Sequence, residues 1–335
     1  MLNRQIRLAA RPVGLPKVSD FQLAYSPRPS PAANEVLIRS VYLSLDPYMR
    51  GRMNDAAADV RPMAIGDVIP GGAVGFVVES NDSAFRVGDA AEGMFGWQEY
   101  VVTRGAAMRR LDPAIAPIST ALGVLGTPGL TAYFGLLDIC DPRSGETVVV
   151  SGAAGAIGML AGQIAKIRGC RVVGIVGADA KVSWLIDELG FDAAFNYAAD
   201  TDVRARLSEL CPAGIDIYFD NVGGAVTDAV MELINVNARV SVCGQNSQQN
   251  LERPEMGPRW LSQLIARQAK VQGFLVSAYA DRFHGARQQL AAWLRAGRLK
   301  YREDVAKGIE SAPQAFIEML QGRNQGKQLV QMSEL

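Results

Sequence analysis

The chain has 335 residues, 49% of them hydrophobic, with 34 basic and 34 acidic side chains. That length allows two domains of ordinary size with large cores, and the balanced charge argues against nucleic acid as a partner. No apolar run approaches bilayer-spanning length, and the opening Met1-Leu2-Asn3-Arg4-Gln5 lacks a signal-peptide core, so a cytoplasmic protein with no membrane partner is expected.

Residues 1 to about 125 carry short strand-like runs at 35–41, 73–78 and 100–103. Clusters such as Pro27-Arg28-Pro29-Ser30-Pro31 and Gly66-Asp67 separate them, and Val87-Gly88-Asp89 reads as a tight turn. This pattern predicts a small, mostly antiparallel β domain. Beyond Gly123 the chain changes to a helical run and then to alternating units. These are a strand at 147–150, a helix at 159–168, a strand at 171–176, a helix at 179–189 and a strand at 193–196. A helix at 202–210, a strand at 215–220, a helix at 224–234 and a strand at 239–243 follow. Strands alternating with helices predict an α/β, doubly wound parallel sheet. Helices near 260–269 and 282–296 come next, and a terminal β-like run at 327–331 suggests that the tail rejoins the first domain. The expected domains are therefore 1–125 with 300–335, and 126–299.

Cys140, Cys170, Cys211 and Cys243 are widely spaced, with no CxxC pair, and His284 is the only histidine. Zinc sites need clustered ligands, so no metal is expected; the cysteines read as buried thiols and His284 as a surface residue.

Between the strand at 147–150 and the helix at 159–168 lies Ala153-Ala154-Gly155-Ala156-Ile157-Gly158. Small residues there let a pyrophosphate reach the backbone at a helix N-terminus, where free N–H groups and the helix dipole favour anions. A glycine triplet alone is weak; set inside a strand–turn–helix–strand unit it has the context of a dinucleotide fingerprint. An NAD site usually ends the next strand with Asp or Glu. Here that strand ends at Gly177, followed by Ala178, Asp179 and Lys181. Glycine leaves room for a 2′-phosphate and Lys181 offers a charge, so NADP is favoured; Asp179 suits a helix N-cap better than a ribose contact.

Several blocks in order resemble one family. They are Ser44-Leu45-Asp46-Pro47-Tyr48-Met49-Arg50-Gly51-Arg52-Met53, the 153–158 turn, Gly190-Phe191-Asp192 and Phe195-Asn196-Tyr197. After them come Tyr218-Phe219-Asp220-Asn221-Val222-Gly223-Gly224, Gln272-Gly273-Phe274 and Ala312-Pro313-Gln314-Ala315-Phe316. Over essentially its whole length the chain resembles the zinc-free medium-chain dehydrogenase/reductases that reduce activated double bonds. These include the prostaglandin reductases, plant double-bond reductases and bacterial curcumin reductases. The resemblance implies a GroES-like β-rich catalytic domain built from both termini around a Rossmann domain. It implies NADPH, with Gly155, Ala156, Ile157 and Gly158 at the pyrophosphate and Lys181 and Tyr197 near the 2′-phosphate. Asn221, Cys243, Gly244 and the segment Phe274, Leu275, Val276 would line the nicotinamide half, with Asn324 closing over the cofactor. Each role has a plainer rival: Tyr197 as a strand cap, Asn221 as a turn residue, Asn324 as a surface loop residue, Tyr48 as a turn stabiliser.

The family chemistry implied is hydride transfer to the β-carbon of an α,β-unsaturated ketone or aldehyde, with charge developing on the carbonyl oxygen. Relatives commonly carry a tyrosine shortly after the Cys-Gly pair; this chain has Gln249 at the matching position. An amide donates a hydrogen bond but cannot deliver a proton as a phenol can, which leaves Tyr48, Tyr279 or solvent for that part. A quinone reductase and a non-catalytic NADPH-binding protein are the rival readings. None of the nine tyrosines has lysine four residues later, which sets aside the short-chain dehydrogenases. By resemblance a homodimer is expected, paired through the edge segment 270–274.

Overall fold

The computed structural model describes residues 2–54, 63–200 and 202–334. Strands β1 (Leu2–Leu8) and β2 (Phe21–Pro27) form a separate antiparallel pair. β3 (Val36–Ser44) follows, then the short helix α1 (Tyr48–Arg52) and strands β4 (Ala73–Ser80), β5 (Ala90–Gly93), β6 (Tyr100–Thr103) and β7 (Met108–Leu111). The turn into β5 needs Gly88, whose φ of 93° lies in the left-handed region.

Helix α2 (Thr127–Leu137), with proline in its first turn, opens the second stretch. β8 (Thr147–Ser151), α3 (Gly158–Ile167), β9 (Arg171–Val176), α4 (Asp179–Asp187) and β10 (Ala193–Asn196) come next. Then follow α5 (Val203–Leu210), β11 (Ile215–Asp220), α6 (Gly224–Met231), β12 (Ile234–Val242), α7 (Leu261–Arg267), β13 (Lys270–Gly273) and α8 (Phe283–Arg295). Every residue of β8 is buried, as a central parallel strand covered on both faces must be. The six strands are parallel in the order β10-β9-β8-β11-β12-β13. The order reverses between β8 and β11, the place where open α/β sheets bind ligands.

The chain then returns through β14 (Glu303–Lys307), α9 (Ala312–Leu320) and β15 (Lys327–Gln331). β15 runs antiparallel to β3, Leu329 facing Ser44, so the second sheet reads β14-β15-β3-β4-β5-β7 with β6 also on β3. Two compact units result: residues up to Gly123 with those from Glu303 onward, and Val124–Arg302. In the first, Trp97 stacks on Phe21 with ring centres 5.9 Å apart and meets Phe316 edge-on at 5.6 Å. In the second, α3 packs on β8 and β9, and α2 lies against α3 in the same apolar core.

Some elements differ from expectation. β12 begins five residues earlier than the predicted 239, because polar Asn235 and a left-handed Asn237 (φ 63°) interrupt the apolar pattern. α6 stops at Met231 rather than 234. Asp179 does not cap α4: Ala178 is the N-cap, and the Asp179 carboxylate accepts instead from Asn196 Nδ2 at 2.9 Å. Cys140, Cys170 and Cys211 are buried, Cys243 is half-buried, and none forms a disulfide. His284 is exposed on α8. Among the described residues no helix is long and apolar enough to cross a membrane.

Candidate functional site

The turn from β8 into α3 is a tight cradle. Gly152 takes a φ of 58°, Ala153 N donates to Ile175 O on the neighbouring strand, and Gly155 N donates to Gly152 O. A Cβ on Gly158 would run into Gly152 O and come within 2.8 Å of Ala153 Cα, so only glycine lets the helix start this close to the turn. A Cβ on Gly155 would meet only Gly152 O, at 3.3 Å, so that face of the turn is open to a ligand. Ala156 and Ile157 complete the turn; Gly155 O accepts the first α3 bond from Met159 N, and Ile157 O accepts the next from Leu160 and Ala161 N. Open space at Gly155 beside the N-terminus of a ten-residue helix is what a dinucleotide pyrophosphate requires.

The neighbouring β11 end is knitted onto this cradle by Asp220, which is 1% exposed. Its Oδ1 accepts from Ser151 Oγ, the Tyr218 hydroxyl, Val222 N and Gly223 N, and its Oδ2 from Thr227 Oγ1 and Gln245 Nε2. Its carbonyl accepts from Cys243 N and Gly244 N. One buried carboxylate thus fixes the loops after β8, β11 and β12 without a cationic side chain among these donors; hydrogen bonds meet the cost of burial. Burial first, and Asp220 second, push the Tyr218 phenol far above its ordinary pKa, so it stays a donor. Asn221 points back to β8, Nδ2 donating to Ser151 O at 2.8 Å. Burial and the same carboxylate raise the Cys243 thiol to about 12, which leaves it protonated and un-nucleophilic at neutral pH.

Beyond β9, a Cβ on Gly177 would lie 3.5 Å from the Tyr197 ring, so the glycine and the phenol border one exposed spot. Tyr197 N donates to Val176 O, which fixes the residue where β10 ends. Lys181 stands in the first turn of α4, its N–H bonded to Ala178 O.

The remaining predicted residues of this unit divide. In the loop after β12, the Gln249 amide donates to Asn246 Oδ1 at 3.2 Å, while its Oε1 is buried without a partner. The Phe274 ring fills the space over Gly135 beside Phe219, Leu275 is exposed, and Val276 packs on the core. The Tyr279 ring stacks on Phe134 at 4.7 Å, with the Arg282 guanidinium over both rings, so packing holds that ring.

Tyr48 and Asn324 belong to the first unit. Tyr48 opens α1 and is about half exposed. Desolvation of its phenol, then the Asp46 carboxylate, raise its pKa against the opposing charge of Arg52. The helix is held by buried Arg50, whose Nη2 donates to Pro12 O at 3.1 Å and Gly14 O at 2.9 Å. Asn324 closes its own turn, Nδ2 donating to Gly326 O at 2.9 Å.

Sequence reasoning missed Asp220, Ser151, Thr227 and Gln245 as a group. The one available signal was an acid ending the otherwise apolar run Ile217-Tyr218-Phe219-Asp220.

Two family models match the chain, the N-terminal domain of oxidoreductase over residues 4–111 and zinc-binding dehydrogenase over 156–292. Among the described residues no three His, Cys, Asp or Glu side chains gather as a metal site requires. The chain is 43% identical to the NADPH-dependent curcumin reductase of Escherichia coli, over 99% of this chain and 97% of that one. It is 42% identical to the NADP-dependent 2-alkenal reductase of Nicotiana tabacum, over 99% of this chain and 98% of that one. The crystal structure of CurA in complex with NADPH from Vibrio vulnificus superposes with a TM-score of 0.95 at 45% identity, covering 99% of this chain and all of that one (100%).

Proposed function

We propose for this chain, which belongs to the medium-chain dehydrogenase/reductase family in the branch of the curcumin, alkenal and prostaglandin reductases, the NADPH-dependent reduction of the C=C bond of α,β-unsaturated ketones and aldehydes. The observation that carries the reading is the glycine cradle at the β8/β11 switch point, in a chain similar from end to end to reductases of that kind.

The residues present fit the cofactor. N–H groups of Ala156, Ile157 and Gly158 would hold the pyrophosphate, with Gly155, whose own N–H is spent on Gly152 O, leaving it room to approach, and Lys181 with Tyr197, beside the bare Gly177, would take the 2′-phosphate. Asn221, Cys243, Gly244 and the Phe274–Val276 segment would line the nicotinamide half. When bound, NADPH would supply a hydride for the carbon β to the carbonyl. The protein's share is to hold the alkene in line and to offer a hydrogen bond where negative charge grows on the carbonyl oxygen. Tyr48 is proposed as the donor: it stands about half exposed at the start of α1, and a phenol is protonated at neutral pH. Gln249 stands where relatives carry a phenol, and its amide cannot supply the α-carbon proton. That proton comes from Tyr48 or from solvent, while Tyr279 is held by its stacking on Phe134.

The reaction is proposed to be zinc-independent, supported by the absence of a ligand cluster among the described residues. A cytoplasmic location is supported by four cysteines outside any disulfide. A homodimer pairing through β13 is supported by that strand's place at the sheet edge, with Val271 43%, Ile265 79% and Leu261 76% exposed nearby in sequence. Ile265→Glu is expected to shift the species seen by analytical ultracentrifugation toward monomer.

The test is stoichiometric NADPH oxidation with a panel of enones, enals and quinones, with the saturated ketone or aldehyde identified as product. Turnover of quinones alone redirects the reading to a quinone reductase, and NADPH binding with turnover of no acceptor removes it.

A further inference from the structure

Lys327 is an ammonium 2% exposed, set at the start of the last strand. Its Nζ donates to Leu45 O at 2.7 Å and to Asp46 Oδ1 at 2.8 Å, while Ser44 Oγ donates to the other Asp46 oxygen. Leu45 N donates to Gln328 O at 3.2 Å, so backbone and side chain bind the same short segment. Two residues further on is Tyr48, and Asp46 O accepts from Met49 N at 3.1 Å to open the turn that carries it. On its other side Lys327 follows the closed Asn324–Gly326 turn, where Gln325 N donates to Asp304 Oδ2 at 3.2 Å.

Such a pair is a weak device for stability. Desolvating a lysine and a carboxylate costs several kcal/mol, and apolar residues of similar size often serve as well; the best-attested use of a buried ion pair is to fix register. Here the register fixed is that of the tyrosine-bearing segment. We propose that Lys327 is a positioning residue for the reaction: through Asp46 it sets where the Tyr48 hydroxyl stands. The inference rests on Tyr48 being the residue at the substrate carbonyl.

A kinetic double-mutant cycle in the full chain tests it, with Lys327→Met, Tyr48→Phe and the double variant assayed for kcat on an enone at saturating NADPH. Residues acting as a unit are non-additive, so Lys327→Met is expected to lower kcat about tenfold or more alone and less than about twofold in the Tyr48→Phe background. An equal loss in both backgrounds shows a merely structural role and overturns the inference, even with Tyr48 needed for turnover. Wild-type kcat in Tyr48→Phe overturns the parent reading and this one with it. Should Lys327→Met not fold, Asp46→Ala breaks the same pair from its more exposed end and enters the same cycle.

Discussion

Ser151, the last residue of β8, and Asn221, the first beyond β11, exchange two hydrogen bonds: Asn221 N donates to Ser151 Oγ at 3.0 Å and Asn221 Nδ2 to Ser151 O at 2.8 Å. Both residues are buried, and this exchange holds the switch-point crevice at a fixed width. Asn221→Ala removes the side-chain donor and with it one hydrogen bond to the Ser151 carbonyl. The expected cost is about 1–3 kcal/mol of stability, read by urea unfolding, together with a raised KM for NADPH.

Gly155 and Gly158 separate binding from folding. Gly158→Ala drives a methyl into backbone and is expected to cost about 1–3 kcal/mol or more, seen as a lowered Tm. Gly155→Ala meets only one oxygen at 3.3 Å and is expected to keep its Tm while raising KM for NADPH, because the methyl occupies the pyrophosphate's approach. Equal effects of the two on Tm would contradict the cradle.

Lys181→Ala bears on the choice of cofactor. Loss of a charge-assisted bond to a 2′-phosphate, worth about 1.5–3 kcal/mol, predicts a KM for NADPH roughly ten- to a hundredfold higher with NADH kinetics unchanged. Tyr197→Phe is expected to act in the same direction and more weakly. A parallel rise for both cofactors would place Lys181 away from the 2′-phosphate.

The base of the same sheet supplies a pH prediction. Arg239 Nη1 and Nη2 grip both Glu146 oxygens at 2.8 and 2.7 Å, and Arg239 Nε donates to Cys140 O. Burial alone would raise the Glu146 carboxyl, but the Arg239 bonds and Arg143 N outweigh it and its pKa is lowered. A lowered carboxylate contributes stability above its unfolded value and loses it as pH falls through the folded one. Glu146→Gln is therefore expected to lower Tm at pH 7, and the gap to wild type to close below about pH 4 in thermal scans. A gap independent of pH would assign the loss to packing.

The sequence shows the β8 cradle because four β-branched residues bounded by glycines can form little else, and Gly158 is needed for contacts within a few residues of itself. β1 and β2 escaped notice because polar residues interrupt the alternation that marks a strand, and in β1 those residues find their side-chain partners far along the chain: Arg4 bonds Glu99, and Gln5 bonds Gln98. Asp220 and Lys327 stayed hidden for a related reason. In sequence Asp220 ends a strand and Lys327 sits in the polar run Asn324-Gln325-Gly326-Lys327-Gln328. Burial of each depends on donors or acceptors that folding brings from up to 69 residues away for one and more than 280 for the other. Local pattern carries period and breakers; it does not carry the partners of a buried charge.

The pairing of β15 with β3 also sets an order of events on the ribosome. Residues Val124–Arg302 have all their strands once Arg302 is made, whereas the unit that begins the chain waits for its last strand. Until Leu329 arrives opposite Ser44, one side of β3 next to the Tyr48 segment lacks its neighbour, and Asp46 has no ammonium to meet. A chain cut just before Lys327 would keep its cofactor cradle and lose the strand that completes the other sheet.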